Sequence, residues 1–189
     1  KYDVKDWFTV NLILHGDFYD RFKRHERIDE RKNVYKSKIF EPRLTLTSSY
    51  FTGHNIIFGV EHTTDELTSD RFVNRRMTTR SLHETEYFLQ DEWTVNSHWM
   101  LSSGVRTNFS KAFGFMWMPK IAIKYAPDNH WALRANYSMG YRAPSIKELF
   151  FNWDHLGMFQ IKGSENLQSE KNNYFSLGAE YSKERFFIN

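Results

Sequence analysis

The chain has 189 residues, 40% apolar and 17% aromatic, with a net charge of +3 from 26 basic and 23 acidic residues. That length suits one domain or part of a larger one, the thin and mixed charge excess offers no stripe for nucleic acid, and the aromatic load argues against disorder. Cysteine is absent, which excludes disulfides, thiol catalysis and cysteine-bound zinc; no run approaches the ~18 apolar residues of a membrane-spanning helix, while a membrane β-barrel stays open.

In chain order, Phe8 to Phe18 reads as the first strand, and Arg21 to Pro42 as a long polar link. Leu44 to Phe51 and Ile56 to Thr64 form a hairpin through Thr52 to Asn55, and Asp65 to Thr85 is a second long link. Tyr87 to Val95 pairs with His98 to Phe109 through Asn96 and Ser97, followed by a link at Ser110 to Met116. Ile121, Ile123 and Tyr125 then alternate with Lys120, Ala122 and Lys124, and a turn at Pro127 to His130 leads into Trp131 to Met139. In that run Trp131, Leu133, Ala135, Tyr137 and Met139 share one face and Ala132, Arg134, Asn136 and Ser138 the other, a period of two that defines a half-buried strand. Arg142 to Asn173 is the longest link and Tyr174 to Tyr181 the last strand. No segment reads as a long amphipathic helix.

These runs make about eight strands of ~9–11 residues, the length that crosses a bilayer when tilted. Short turns and long links alternate, so an up-and-down antiparallel sheet collects the turns at one rim and the loops at the other, as in outer-membrane barrels. Tyr50, Phe51, Trp93, Trp99, Tyr125 and Trp131 gather at the short-turn rim as an aromatic girdle. Asp91 shares a face with Leu89 and Trp93, so it has to sit near a rim or shift the register. Alternation alone also fits a soluble lipocalin-like barrel or β-sandwich with its apolar face inward; the regular connections and rim aromatics favour the membrane. A closed eight-stranded outer-membrane barrel with a structural or adhesive role fits the length as well.

Specific words then point to a family. Phe88-Leu89-Gln90-Asp91-Glu92-Trp93, Ser103-Gly104-Val105-Arg106, Met118 to Tyr125, Tyr141 to Phe150, Asn166 to Tyr174 and Leu177-Gly178-Ala179-Glu180-Tyr181 resemble TonB-dependent outer-membrane receptors, most nearly those of the Bacteroides type. The resemblance covers most of the chain from Arg43 onward. It implies an all-β, antiparallel up-and-down transmembrane barrel of about 22 strands with a plug in its lumen. Residues 1–189 are expected to supply about eight of those strands, with the plug domain and the TonB box absent from this chain. It further implies the outer membrane of a Gram-negative bacterium, contact with outer-membrane lipid, energy from a TonB-ExbB-ExbD complex acting through the missing N-terminal region, and a surface lipoprotein as an optional partner. No enzymatic activity, tightly bound cofactor or nucleic acid is implied.

Tyr141-Arg142-Ala143-Pro144 is similar to the Phe/Tyr-Arg-Ala-Pro box of haem receptors in this family, and His155 follows in the next loop. Gly163-Ser164-Glu165-Asn166-Leu167 stands in the place of their second box, keeping Asn166 and Leu167 without its proline. The resemblance implies haem or another iron chelate, such as a siderophore complex, as the transported ligand, with cobalamin next. A neutral imidazole ligates haem iron, which makes His155 the metal candidate, with Met158 as a weaker axial ligand. Tyr141, Arg142, Trp153 and Phe159 complete the expected ligand-binding set, Arg142 suiting a propionate. The competing reading packs these residues against the barrel mouth and places Arg142 in a structural ion pair. Acid pairs such as Asp65-Glu66 and Asp91-Glu92 form no recognisable catalytic unit.

Overall fold

Strands form wherever apolar and polar residues alternate, and they run well past the apolar stretches. A computed structural model describes residues 1–25, 30–72, 76–155, 158–183 and 186–188. The elements are β1 (Tyr2–Lys5), β2 (Phe8–His25), β3 (Glu30–Ser48), β4 (His54–Ser69), β5 (Thr78–Thr94), β6 (Trp99–Ser110), β7 (Gly114–Tyr125), β8 (Trp131–Arg142), α1 (Ile146–Phe150), β9 (Asn152–His155), β10 (Phe159–Lys162), β11 (Glu170–Lys183) and β12 (Phe186–Ile188). One antiparallel sheet of ten strands follows chain order from β1 through β8 to β11 and β12, while β9 and β10 form a separate hairpin. The sheet is open, with β1 and β12 at its two edges. The closed eight-stranded alternative is thereby set aside.

The eight expected strands are β2 to β8 and β11, but they run for 12 to 19 residues instead of ~9–11. The link expected at Arg21 to Pro42 is mostly ladder, since pairing continues from Phe8↔Ser48 to His25↔Glu30. The links expected at Asp65 to Thr85 and Ser110 to Met116 contract to residues 70–77 and 111–113. Beyond the bilayer both faces of a strand meet water, so the polarity alternation fades while backbone pairing persists. Of the four expected long links, residues 143–169 remain a long excursion, and they contain the short helix α1 that periodicity did not signal.

Register sorts side chains into two unlike faces. Leu12, Leu44, Val60, Tyr87, Thr107 and Trp117 fall on one row, and Val10, Leu46, Phe58, Leu89, Val105 and Pro119 on the next row of the same face. This face stays exposed, with Leu177 at 88% and Phe175 at 73%, and it is the lipid face. A lipocalin-like barrel would have buried it. The opposite face carries Arg43, Glu61, Glu84, Glu86, Arg106 and Arg134, and the chain's buried apolar cluster of Leu67, Phe72, Ile146 and Phe151 also lies there. It is the lumen face.

Aromatic rings ring both ends of the apolar band. At the short-turn end Trp7 meets Tyr50 at 5.0 Å, Trp99 stacks on Tyr125 at 4.3 Å and Trp131 meets Tyr181 at 4.9 Å. At the other end Phe109 lies 5.9 Å from Tyr87 and 4.8 Å from Phe115. Asp91 keeps the register and sits beside the rim: it faces Ile56 and binds His54 Nδ1 at 2.7 Å, while the His54 ring stacks on Trp93.

On the lumen face Arg43 and Glu61 are directly opposed, and Arg43 Nε and Nη2 donate to the two carboxylate oxygens at 2.9 Å each. Glu61 is 9% exposed, so its charge depends on this fork. Replacing Arg43 with Met is expected to lower unfolding stability by about 1–3 kcal/mol, because a desolvated charged group loses its partner. Adding Glu61→Gln recovers a large part of that loss, which a double-mutant cycle by urea unfolding in micelles measures.

Candidate ligand site

The long excursion after β8 begins with a local device. Pro144 fixes the approach, and Ser145 caps α1: its hydroxyl accepts from the Glu148 N–H while the Glu148 carboxylate accepts from the Ser145 N–H at 2.8 Å, a capping box. Arg142 closes the circuit, donating to Glu148 at 2.6 Å and to Glu170 at 3.1 Å. One guanidinium therefore ties the end of β8, the start of β11 and the helix between them. The Ser145 N–H, then the Arg142 guanidinium and the Ser145 hydroxyl hold the Glu148 carboxyl down to about 2.

The excursion folds back over the lumen face. Ile146 and Phe151 enter the cluster with Leu67 and Phe72, Phe151 meeting Phe72 edge-on at 5.5 Å. Gly163 lies against the helix end, where a Cβ would stand 2.6 Å from the Glu148 carbonyl oxygen and 2.8 Å from the Leu149 carbonyl carbon. Glycine is thus required by close approach of two backbones. The Ser164 N–H then donates to Glu148 O at 3.0 Å.

Between this roof and the sheet lies a pocket of about 490 Å³ lined by Asp17, Tyr19, Arg21, Tyr35, Ser37, Arg71, Lys147 and Phe151. The floor is the lumen face of β2 and β3, where Arg21 opposes Tyr35 and Tyr19 opposes Ser37. Lys147 comes from α1 in the roof and Arg71 from the β4–β5 link. The two tyrosines meet edge-on at 5.8 Å, and the Lys147 ammonium sits 5.2 Å from the Tyr35 ring. Arg71 lies 4.2 Å over the Trp153 ring, which extends the aromatic surface to the β9–β10 hairpin. Three cationic groups face one carboxylate, Asp17, with Asp65 as a further electrostatic neighbour of Lys147. Such a surface suits a planar, anionic ligand.

The expected set is only partly united. Trp153 and Phe159 meet at 6.0 Å on the hairpin, where β-pairing sets His155 opposite Phe159. The side chain of His155 lies outside the described part of the structure. Met158 is 69% exposed. Tyr141 lies on β8 opposite Lys171, and Arg142 is engaged by its two glutamates, the ion-pair arrangement. Ala143 and Pro144 lead into the cap, while Asn166 and Leu167 form an exposed turn after Gly163. Sequence reasoning missed Tyr19, Arg21, Tyr35, Arg71 and Lys147, which come from four segments. The alternation Asp17-Tyr19-Arg21 was their available signal, and it straddled the end of the expected strand at Phe18 and the start of the expected link at Arg21.

An open antiparallel sheet with a lipid face, two aromatic girdles and a loop folded over a polar lumen face defines an outer-membrane β-barrel segment. The family described as TonB dependent receptor-like, beta-barrel matches residues 2–189, and the chain belongs to it. The iron-regulated outer membrane virulence protein of Vibrio cholerae serotype O1 (strain ATCC 39315 / El Tor Inaba N16961) is 25% identical over 180 residues, covering 92% of this chain and 28% of that protein. The ferric enterobactin receptor PfeA of Pseudomonas aeruginosa superposes with a TM-score of 0.77 at 17% identity, over 97% of this chain and 31% of that one. The siderophore receptor PirA of the same organism gives 0.77 at 16% identity, over 97% and 35%. This chain spans about a third or less of these proteins. The structural likenesses establish the fold; TonB-dependent receptors work with TonB in general, and the Vibrio cholerae relative is named as an outer-membrane protein.

The clasp has a pH signature. A carboxyl lowered from 4.5 to about 2 contributes stability above its unfolded value, and that contribution is lost as pH falls from about 4.5 through about 2. Protection of residues 143–169 from proteolysis is therefore expected to weaken progressively from about pH 4.5 towards pH 2, while Glu148→Gln removes most of the pH dependence in that window. Gly163→Ala should loosen the same loop at neutral pH, at a cost of about 1–3 kcal/mol in local opening, read by hydrogen exchange of Ser164 and Leu149.

Proposed function

We propose that residues 1–189 form part of the barrel domain of a TonB-dependent receptor of about 22 strands that imports a ferric chelate. The plug and the TonB box belong to sequence outside this segment, the TonB-ExbB-ExbD complex supplies the energy, and a surface lipoprotein assists capture. The protein works by binding and passage, without catalysis and without a tightly held cofactor. The observation that carries the reading is the pocket under the loop, where Arg21, Arg71 and Lys147 surround Tyr19 and Tyr35. Cationic groups match the negative charge of a ferric siderophore, and the aromatic rings match its flat faces.

Haem is the second reading, favoured by the pairing of His155 with Phe159 beside Trp153. On that reading His155 ligates the iron, the hairpin rings and Met158 cover the porphyrin, and Tyr141 and Arg142 serve the propionates. The two readings diverge in the receptor carrying this segment. Replacing Arg71 and Lys147 together by Ala is expected to weaken ferric enterobactin binding by about tenfold or more, as loss of charge-assisted contacts implies. Haemin affinity and its Soret band should then be unaltered by His155→Ala. An unaltered siderophore affinity together with a His155-dependent Soret shift would reverse the order.

A further inference from the structure

The lipid face is not smooth. On β8 and β11, Ala135 and Ala179 stand among larger neighbours, and the missing volume opens a recess of about 560 Å³ that runs into a second of about 290 Å³. The two share Ile123, Ala135 and Leu177 as walls, so they form one channel along β8. The floor of the channel at Ala135 lies between paired β7 and β11, and β11, which pairs with β12 only from Tyr181 to Lys183, forms its far wall. Its short-turn end reaches the girdle, where Trp99 and Tyr125 line it and the Trp131–Tyr181 pair stands beside it. Two residues beyond Tyr181, and so on the same face, is the exposed Lys183. Among the described residues, the acid of the neighbouring turn, Asp128, is occupied within that turn by the N–H groups of His130 and Trp131 at 2.7 and 2.9 Å.

We propose that this channel is a binding site for one phospholipid of the periplasmic leaflet, its acyl chain in the recess and its phosphate at Lys183. The channel opens into the hydrocarbon between two girdles, so water is excluded and an unfilled recess would forfeit dispersion contacts on every wall. A flexible chain can settle over Ala135 and touch Ile123 and Leu177 on either side, contacts that the flat band does not offer. Amphipathic rings mark the depth of the glycerol backbone, and a lysine one step further out meets the phosphate. Apolar channel, aromatic collar and cation thus occur in the order in which a phospholipid presents chain, backbone and headgroup. A second copy of the chain would need a matching apolar ridge and a contact of ~1,000 Å² or more. This inference rests on the barrel and its lipid face, and is independent of which cargo the pocket takes.

The test is native mass spectrometry of the full receptor after reconstitution with palmitoyl-oleoyl phosphatidylethanolamine and graded delipidation in detergent. The parent protein is expected to retain one phospholipid, and Ala135→Phe with Ala179→Phe to reduce that retention by about tenfold or more. Heat-modifiable gel mobility verifies that this filled variant still folds. Lys183→Glu, which leaves channel and strands intact, is expected to lower retention by about threefold or more through the headgroup alone. Equal retention by the parent and both variants overturns the proposal. Dissociation of a dimer on filling the channel would also overturn it, assigning the face to a second copy.

Discussion

In hydrocarbon a peptide N–H or C=O has no solvent to turn to, so each must be satisfied by the chain itself. The antiparallel ladder from β2 through β8 to β11 answers that demand across the sheet, with direct pairs such as Leu46↔Phe58 and Leu89↔Val105 recurring strand after strand. Once the backbone is committed, each side chain has two destinations. Residues that cannot face lipid, such as Arg43, Glu61, Arg134 and Glu180, are delivered to the lumen face by the pleat and pair there. The lumen's polar character is therefore a by-product of the same register that makes the lipid face apolar.

The lumen face then receives a structure of a different kind. The excursion between β8 and β11 gains no ladder from the main sheet, and its order comes from a small apolar plug into the Leu67–Phe72 cluster together with the Arg142 clasp. Ion pairs at exposed positions contribute little each, so the apolar contacts carry most of the docking energy and the clasp chiefly fixes direction. Gly163 shows how close the fit is, since even a methyl group collides with backbone atoms. The cationic pocket exists because this roof brings Lys147, beside Arg71 of the β4–β5 link, over tyrosines of β2 and β3.

Much of the architecture was legible because the bilayer writes it into the sequence. Trp131, Leu133, Ala135 and Tyr137 alternate with polar residues because one face meets lipid, and the rings near Asn96 and Pro127 mark a headgroup level. Legibility stopped where the lipid stopped. Beyond Phe18 and its partner Lys38 both strands leave the apolar band, so Tyr19, Arg21, Tyr35 and Ser37 lie past the stretch that apolar alternation marks even though they pair as regularly as their neighbours. Helix α1 was invisible for another reason: at five residues it is too short to display a period, and its marker was the local cap of Ser145 and Glu148. Arg142 was noticed as part of a motif, yet its engagement depends on Glu170, 28 positions away, which proximity in sequence cannot reveal.

The continuation of β2 and β3 beyond the membrane gives the pocket two walls of unequal stiffness. One wall is the barrel itself, braced by a ladder that begins in the bilayer, so Tyr19, Arg21 and Tyr35 keep their spacing whatever the loop does. The other wall hangs from one arginine and one apolar patch. Variation confined to residues 143–169 can therefore reshape the roof of the pocket while the foundation, and with it the strands that face the lipid, is left alone. On the proposed reading, a lineage under pressure to change its cargo would find its freedom in that roof.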